Sequence, residues 1–164
     1  MDSQLLQEIA RAREIVAQPK AWAGPAATPW REALGKPKGH EFRAALTIDG
    51  VQLEGLFVKG YFKADGIGRV RDKLSLSLIH GARLVGLDEG GMGGHRCYTG
   101  AGRPYYGAKV GVPHLHTISD DAIEGYAEPL EVAPLEDLWK LFLSHANIID
   151  APALSLPVIQ RPLL

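Results

Sequence analysis

The chain has 164 residues, 46% of them hydrophobic and 23% charged, which is the size and composition of one globular domain. It contains no run of about 20 apolar residues, so we expect no membrane partner, and its first residues do not resemble a secretory signal. The single cysteine, Cys97, has no partner for an internal disulfide, and together these features predict a cytoplasmic protein.

The first predicted element is a helix over residues 3–17. Its apolar residues recur with the period of an amphipathic helix and are Leu5, Ile9, Ala12 and Val16. Pro19 has no amide hydrogen and disfavours helical geometry at the preceding residue, so the helix ends there. Residues 1–40 are therefore predicted to form a helix and an ordered connection, in which Trp22 and Trp30 are too apolar to remain in water.

Residues 41–130 are predicted to form the sheet. Segments 41–48 and 51–62 alternate between apolar and polar side chains, and Asp49-Gly50 between them is typical of a two-residue hairpin turn. The apolar phase shifts at Gly55, which indicates a β-bulge. Further strands are predicted, and they cover residues 73–80, 83–88 and 109–118, with Pro113 interrupting the last one.

The remaining elements complete the predicted fold. Residues 89–107 are rich in glycine and predict a flexible loop, without the Lys-Ser/Thr pair of a nucleotide P-loop. A C-terminal helix is predicted within residues 134–148 and an extended tail over 150–164. The order of elements predicts a single α+β domain over residues 1–164, in which an antiparallel sheet of about five strands is packed on one face by the N-terminal and C-terminal helices.

The densest group of chemically reactive side chains comprises His95, Cys97, His114 and His116. Residues i and i+2 of a strand point to the same face, so the two residues of each pair share a face. If the two segments lie side by side, nitrogen and sulfur donors converge as in a zinc site, where ligands lie at about 2.0–2.3 Å. The sequence therefore predicts a divalent-metal site, with zinc as the first choice of ion.

The same histidines, His95, His114 and His116, also fit a metal-free site, because imidazole titrates near neutral pH and can act as acid or base. Cleavage of a phosphodiester would further need cations, and the candidate anion-binding residues are Arg69, Arg71, Arg96, Arg103 and Lys109. A third interpretation is structural. It treats the histidines as partly buried sheet residues, the cysteine as a packed thiol and the basic row as a solvated edge.

Charge is unevenly distributed along the chain. Residues 59–116 carry nine basic and four acidic side chains, whereas residues 117–164 carry two basic and eight acidic ones. The basic middle favours an anionic partner such as nucleic acid. A simpler interpretation is that the two oppositely charged parts pair within the fold.

A wider pattern covers residues 70–150. It comprises the alternating strand 73–80, Leu84-Val85-Gly86-Leu87-Asp88, His95, Gly111-Val112-Pro113-His114-Leu115-His116, Ala127-Glu128-Pro129-Leu130 and Phe142-Leu143-Ser144-His145-Ala146-Asn147-Ile148. In these segments the chain resembles a family of small uncharacterised prokaryotic proteins with a Gly-Pro-His-x-His segment and a closing helix that ends in Asn-Ile. It departs from that family at Val112 and in the glycine-rich insertion. The resemblance implies a site at His95, His114 and His116, and an association with mobile elements and toxin–antitoxin neighbourhoods.

Three hypotheses of function follow. The first is a toxin-like or defence-associated protein whose histidine cluster acts on or binds nucleic acid. The second is a non-enzymatic binding module, in which the glycine-rich loop and the acidic C-terminal part dock a protein partner. The third is a cupin-like metal enzyme acting on a small molecule, suggested by Asp120 and Asp121 close to the His-x-His pair.

Overall fold

A computed structural model describes residues 2–36, 39–66 and 70–159 of the chain. These residues form two helices, α1 (Ser3–Ala17) and α2 (Leu135–His145), and eleven strands. The strands are β1 (Lys20–Trp22), β2 (Arg31–Glu32), β3 (Gly39–Ile48), β4 (Val51–Lys63), β5 (Lys73–His80), β6 (Ala82–Glu89), β7 (His95–Arg96), β8 (Lys109–Val110), β9 (His114–His116), β10 (Ala127–Pro129) and β11 (Ile148–Ile149). Neither helix of this described part is long and apolar enough to cross a membrane.

The α+β class is confirmed, but the sheet is larger and less uniform than predicted. Nine strands form one sheet in the order β10-β9-β6-β5-β4-β3-β1-β11, with β2 also pairing with β3, while β7 and β8 form a separate two-stranded sheet. The pairing of β1 with β11 is parallel, so the large sheet is mixed rather than antiparallel. The prediction of about five strands was wrong because the additional strands are only two or three residues long and carry no alternating pattern.

The predicted hairpin is present as β3 and β4. Its turn residues, Asp49 and Gly50, both have positive φ angles, 51° and 74°, which glycine adopts without steric cost. The pairing register shifts between Ala45 and Thr47 on β3, opposite the part of β4 that contains Gly55. Gly55 has a φ of 77°, and the predicted bulge is therefore confirmed.

The predicted strand over residues 109–118 is wrong. It divides into β8 and β9, which belong to different sheets and are separated by a cis peptide bond between Val112 and Pro113. Pro113 lacks the amide hydrogen that a continuous ladder would need. The division is important for the site because it leaves β9 free to pair with β6.

The C-terminal segment after α2 packs against the rest of the chain. Residues 151–159 have no regular secondary structure, but the indole Nε1 of Trp139 donates to the carbonyl of Pro152 at 2.9 Å. The hydroxyl of Thr28 likewise donates to the carbonyl of Ser155 at 2.7 Å. The described part of the predicted tail is thus extended and attached, while residues 160–164 lie outside the described residues.

The two faces of the sheet have opposite characters. On β5, β6 and β9, the side chains of Leu76, Leu87 and Leu115 share one face and belong to the same buried cluster as Ile15 of α1 and Phe142 of α2. Both helices therefore cover this face, as predicted. The residues between these leucines point to the opposite face, and there they are polar.

Candidate metal centre

Strand register brings three polar residues into one line on the face away from the helices. His114 of β9 pairs with Asp88 of β6, and Asp88 pairs in turn with Ser75 of β5. His116 lies two residues further along β9 and therefore shares the face of His114. The site is thus assembled from three neighbouring strands of one rigid sheet.

Asp88, His114 and His116 form a compact triad, which we call the Asp–His–His triad. His116 Nε2 lies 2.9 Å from Asp88 Oδ2, the two Nε2 atoms lie 3.1 Å apart, and His114 Nε2 lies 3.4 Å from the same Oδ2. An ion bound at about 2.1 Å separates neighbouring ligand atoms by about 3.0 Å in octahedral and about 3.4 Å in tetrahedral geometry. The three donors are therefore spaced as ligands of a single metal ion.

His114 is fixed in the tautomer that a metal ligand needs. Its Nδ1 lies 2.7 Å from the carbonyl oxygen of Gly111. Because a carbonyl oxygen only accepts hydrogen bonds, Nδ1 carries the proton and the lone pair of Nε2 faces the triad. Metal-binding histidines are commonly oriented in this way by a backbone carbonyl.

Asp88 is held in place by two further neighbours. The Arg83 guanidinium donates to both carboxylate oxygens, at 2.9 and 3.0 Å, and the Ser75 hydroxyl donates to Oδ1 at 2.6 Å. Burial alone would raise the pKa of Asp88, but the neighbouring imidazoles of His114 and His116 and the guanidinium of Arg83 outweigh it and hold this pKa far below its usual range. Asp88 is therefore an ionised carboxylate at any pH near neutrality.

His116 is held in its neutral form. Burial lowers the pKa of its imidazole, against the opposing effect of the hydrogen bond with Asp88. An ionised carboxylate and a neutral imidazole are the protonation states that bind metal ions. The protein environment thus favours the metal-binding form of both groups.

The structure brings His95 close to the triad but places Cys97 elsewhere. The ring of His95 lies 4.6 Å from that of His116, and its Nε2 donates to the carbonyl of Gly125 at 2.9 Å. Cys97 is fully buried, and its Sγ contacts the backbone nitrogen and oxygen of Ala127. Among the described residues, neither His95 nor Cys97 belongs to the group of donor atoms that lie within 4.8 Å of one another.

Three of the predicted anion-binding arginines pair with other groups of the protein. Arg71 pairs with Glu89 at 2.8 Å and Arg103 with Glu128 at 3.0 Å. Arg96 donates to the carbonyl of Gly107. Lys109 is exposed on β8, and Arg69 lies outside the described residues. In the described part of the chain, none of these basic residues lines the cavity that contains the triad.

The acidic residues expected near the His-x-His pair are also engaged elsewhere. Asp120 pairs with Arg13 of α1, and Asp121 accepts hydrogen bonds from the backbone nitrogens of Gly100 and Ala101. The carboxylate beside the histidines is instead Asp88, which was not among the site residues predicted from the sequence. The alternation of β6 could have identified Asp88 from the sequence, because Asp88 follows the apolar Leu87 and therefore lies on the opposite, polar face of the strand.

A cavity of about 610 Å³ opens over the triad. The glycine-rich segment over residues 90–94 forms part of its wall, and His95 lines it as well. Gly90 is buried with a φ of 68°, and a Cβ there would overlap the carbonyl oxygen of Asp72, so this position requires glycine. The volume lies within the range of about 300–1,000 Å³ typical of small-molecule sites.

No family model, curated protein or solved structure matches this chain. The resemblance to a small prokaryotic family, and the association with toxin–antitoxin neighbourhoods, therefore stay predictions from the sequence. The fold and the side-chain geometry define the chain as an α+β protein with a potential His/Asp metal site on one face of its sheet.

Proposed function

We propose that this protein is a metal-dependent hydrolase in which the Asp–His–His triad holds one divalent ion, with zinc as the first choice. The observation that carries the proposal is the spacing of the three donor atoms, which all lie within 4.8 Å of one another and face an open cavity. Two imidazoles and one carboxylate leave at least one coordination position for water or substrate, as catalytic zinc sites do.

Hydrolysis is the reaction that the surroundings favour. Ser75, Ser77, Arg83 and Glu89 contribute to a polar and charged lining, which suits a hydrophilic substrate. A bound divalent ion supplies acidity to water and polarises the bond under attack. Hydrolysis also needs no reactant beyond water: the water oxygen bonds to the electrophilic centre, the ester bond breaks, water gives up one proton and the leaving oxygen takes one.

His95 is our candidate for the residue that protonates the leaving oxygen. It lines the same cavity, and its ring lies 5.9 Å from His114. Because Nε2 donates to the carbonyl of Gly125, Nδ1 is the ring nitrogen available for proton exchange. Arg83 is a positioning residue, since it fixes the Asp88 carboxylate without belonging to the triad.

The test is hydrolysis of a generic phosphodiester, bis(4-nitrophenyl) phosphate, by chelator-stripped protein with and without added zinc. We expect turnover only with the metal, a loss of at least about 100-fold in His114→Ala, and no change in His145→Ala, a control at an exposed histidine of α2. Metal-independent turnover, or equal activity in His114→Ala, would refute the proposal.

A second candidate function is metal-free acid–base catalysis by the same histidines. The observation that favours it is the Arg83 guanidinium, which donates at 2.9 Å to the Oδ2 atom that an ion would also contact. In that case Asp88 orients His116 as a base, in the manner of an Asp–His pair. Turnover that persists in the presence of chelator and is lost in His116→Ala would select this alternative.

A further inference from the structure

Three lysines, Lys36, Lys59 and Lys73, line the same cavity as the triad. We call them the lysine wall. Register places Lys59 of β4 opposite Ser77 of β5, Ser77 opposite Gly86 of β6, and Gly86 opposite His116. Lys59 and His116 therefore stand on the same face, about 14 Å apart for three strand spacings. The two residues between them, Ser77 and Gly86, have small side chains or none, and the Arg83 guanidinium lies over Gly86.

The lysine wall carries positive charge that the described residues do not neutralise. None of its ammonium groups lies within 4.0 Å of a described carboxylate. The two carboxylates that line the cavity, Asp88 and Glu89, already pair with Arg83 and Arg71. A divalent ion at the triad would add two more positive charges, so the cavity would then hold a large excess of positive charge. Such a field favours an anionic ligand.

The lysines are also free to reach a ligand. The ammonium groups of Lys36 and Lys73 lie over the ring of Tyr61, 4.8 and 5.9 Å from its centroid. Cation–π contacts at exposed positions are weaker than charge-assisted hydrogen bonds to a phosphate oxygen. The Tyr61 ring therefore holds the two ammonium groups at one side of the cavity, and an anion can displace this contact easily.

We propose that the substrate is a phosphate ester, whose phosphate group binds between the lysine wall and the Asp–His–His triad. A phosphate presents several acceptor oxygens and up to two negative charges, and so can be shared by several ammonium groups and an ion. This inference deepens the proposed function and rests on it for the reaction, although not for binding. Free phosphate esters and single-stranded nucleic acid offer the same chemistry.

The experiment measures binding of inorganic phosphate, adenosine monophosphate and a labelled hexauridine, each in chelator and in zinc. It compares wild type with Lys59→Gln/Lys73→Gln and with Lys63→Gln. Lys63 is the matched control, because it pairs with Lys73 in register on the same face but does not line the cavity. Lys59 is half-buried, so the double variant could fail to fold. Binding by the single Lys36→Gln variant, at an exposed position, then tests the same prediction.

We expect the double variant to bind adenosine monophosphate at least 10-fold more weakly and Lys63→Gln to stay within twofold of wild type. Hexauridine binding 10-fold tighter than the mononucleotide would identify a nucleic-acid strand as the source, and equal or weaker binding would identify free phosphate esters. An equal loss in Lys63→Gln, or no binding of any probe by wild type, would overturn the inference. If zinc does not bind but lysine-dependent binding persists in chelator, the hydrolase proposal fails and this one stands.

Discussion

Replacement of Asp88 by asparagine is the sharpest test of how the triad is held. The substitution preserves volume but turns one carboxylate oxygen into an NH₂ group, which then faces donors of Arg83, Ser75 or His116. Removing one partner of a fully buried ion pair costs about 3–5 kcal/mol, and hydrogen bonds to charged groups contribute about 1.5–3 kcal/mol each. The Asp88 and Arg83 side chains are 23% and 21% exposed, so we expect a smaller loss than for a fully buried pair, about 2–3 kcal/mol.

The assay is urea unfolding of chelator-stripped protein at neutral pH, followed by tryptophan fluorescence. Trp22 and Trp139 pack against Phe42 in the core, so their emission reports on the folded sheet. The control is Asp120→Asn, because the Asp120 side chain is 85% exposed and its ion pair with Arg13 should contribute less than about 1 kcal/mol. A loss below about 0.5 kcal/mol in Asp88→Asn would show that the carboxylate network adds little to stability, contrary to this prediction.

Three other predictions concern single groups. The folded state holds the pKa of His116 below its usual 6.5, so as pH falls through 6.5 only the unfolded chain gains a proton at this residue. The melting temperature should therefore fall with pH. It should fall less steeply in His116→Gln. In Gly86→Ala the new Cβ overlaps the Arg83 guanidinium, so we expect about 1–3 kcal/mol of destabilisation in urea and weaker zinc binding by calorimetry, with Gly93→Ala unchanged. The fully buried ammonium of Lys20 donates to three carbonyls at the end of α1, and its replacement by methionine should cost about 1–3 kcal/mol in the same unfolding assay.

The elements with regular patterns were predictable from the sequence. Both helices and the β3–β4 hairpin follow from apolar periodicity and from the Asp49-Gly50 turn, which are local properties. The short strands were not predictable in this way. β11, for example, is two residues long and pairs with β1, more than 120 residues earlier in the chain. No local sequence pattern therefore predicts it.

The site was predictable only in part for the same reason. His114 and His116 share a face because of their spacing alone, and that property of the chain is local. Asp88 joins them through the register of β6 against β9, which depends on long-range pairing. The lysine wall was also missed, since it combines residues from β4, β5 and the segment after β2 that come together only in the folded sheet.

The alternative role as a protein-binding module remains a distinct prediction. It requires the glycine-rich loop and the acidic C-terminal part to dock a partner, independently of the triad. A stable heteromeric complex that is unaffected by His114→Ala would favour this role. Dependence of the complex on His114 would instead connect partner binding with the metal centre.

The metal centre is tested most directly by the metal content of the purified, untagged protein, measured by elemental analysis and by zinc titration after stripping. We predict about one zinc ion per chain in wild type, with affinity lowered at least about 100-fold in His114→Ala and His116→Ala and unchanged in His145→Ala. Wild-type protein that takes up no divalent ion, or variants that bind zinc as tightly as wild type, would contradict the assignment of Asp88, His114 and His116 as a metal centre.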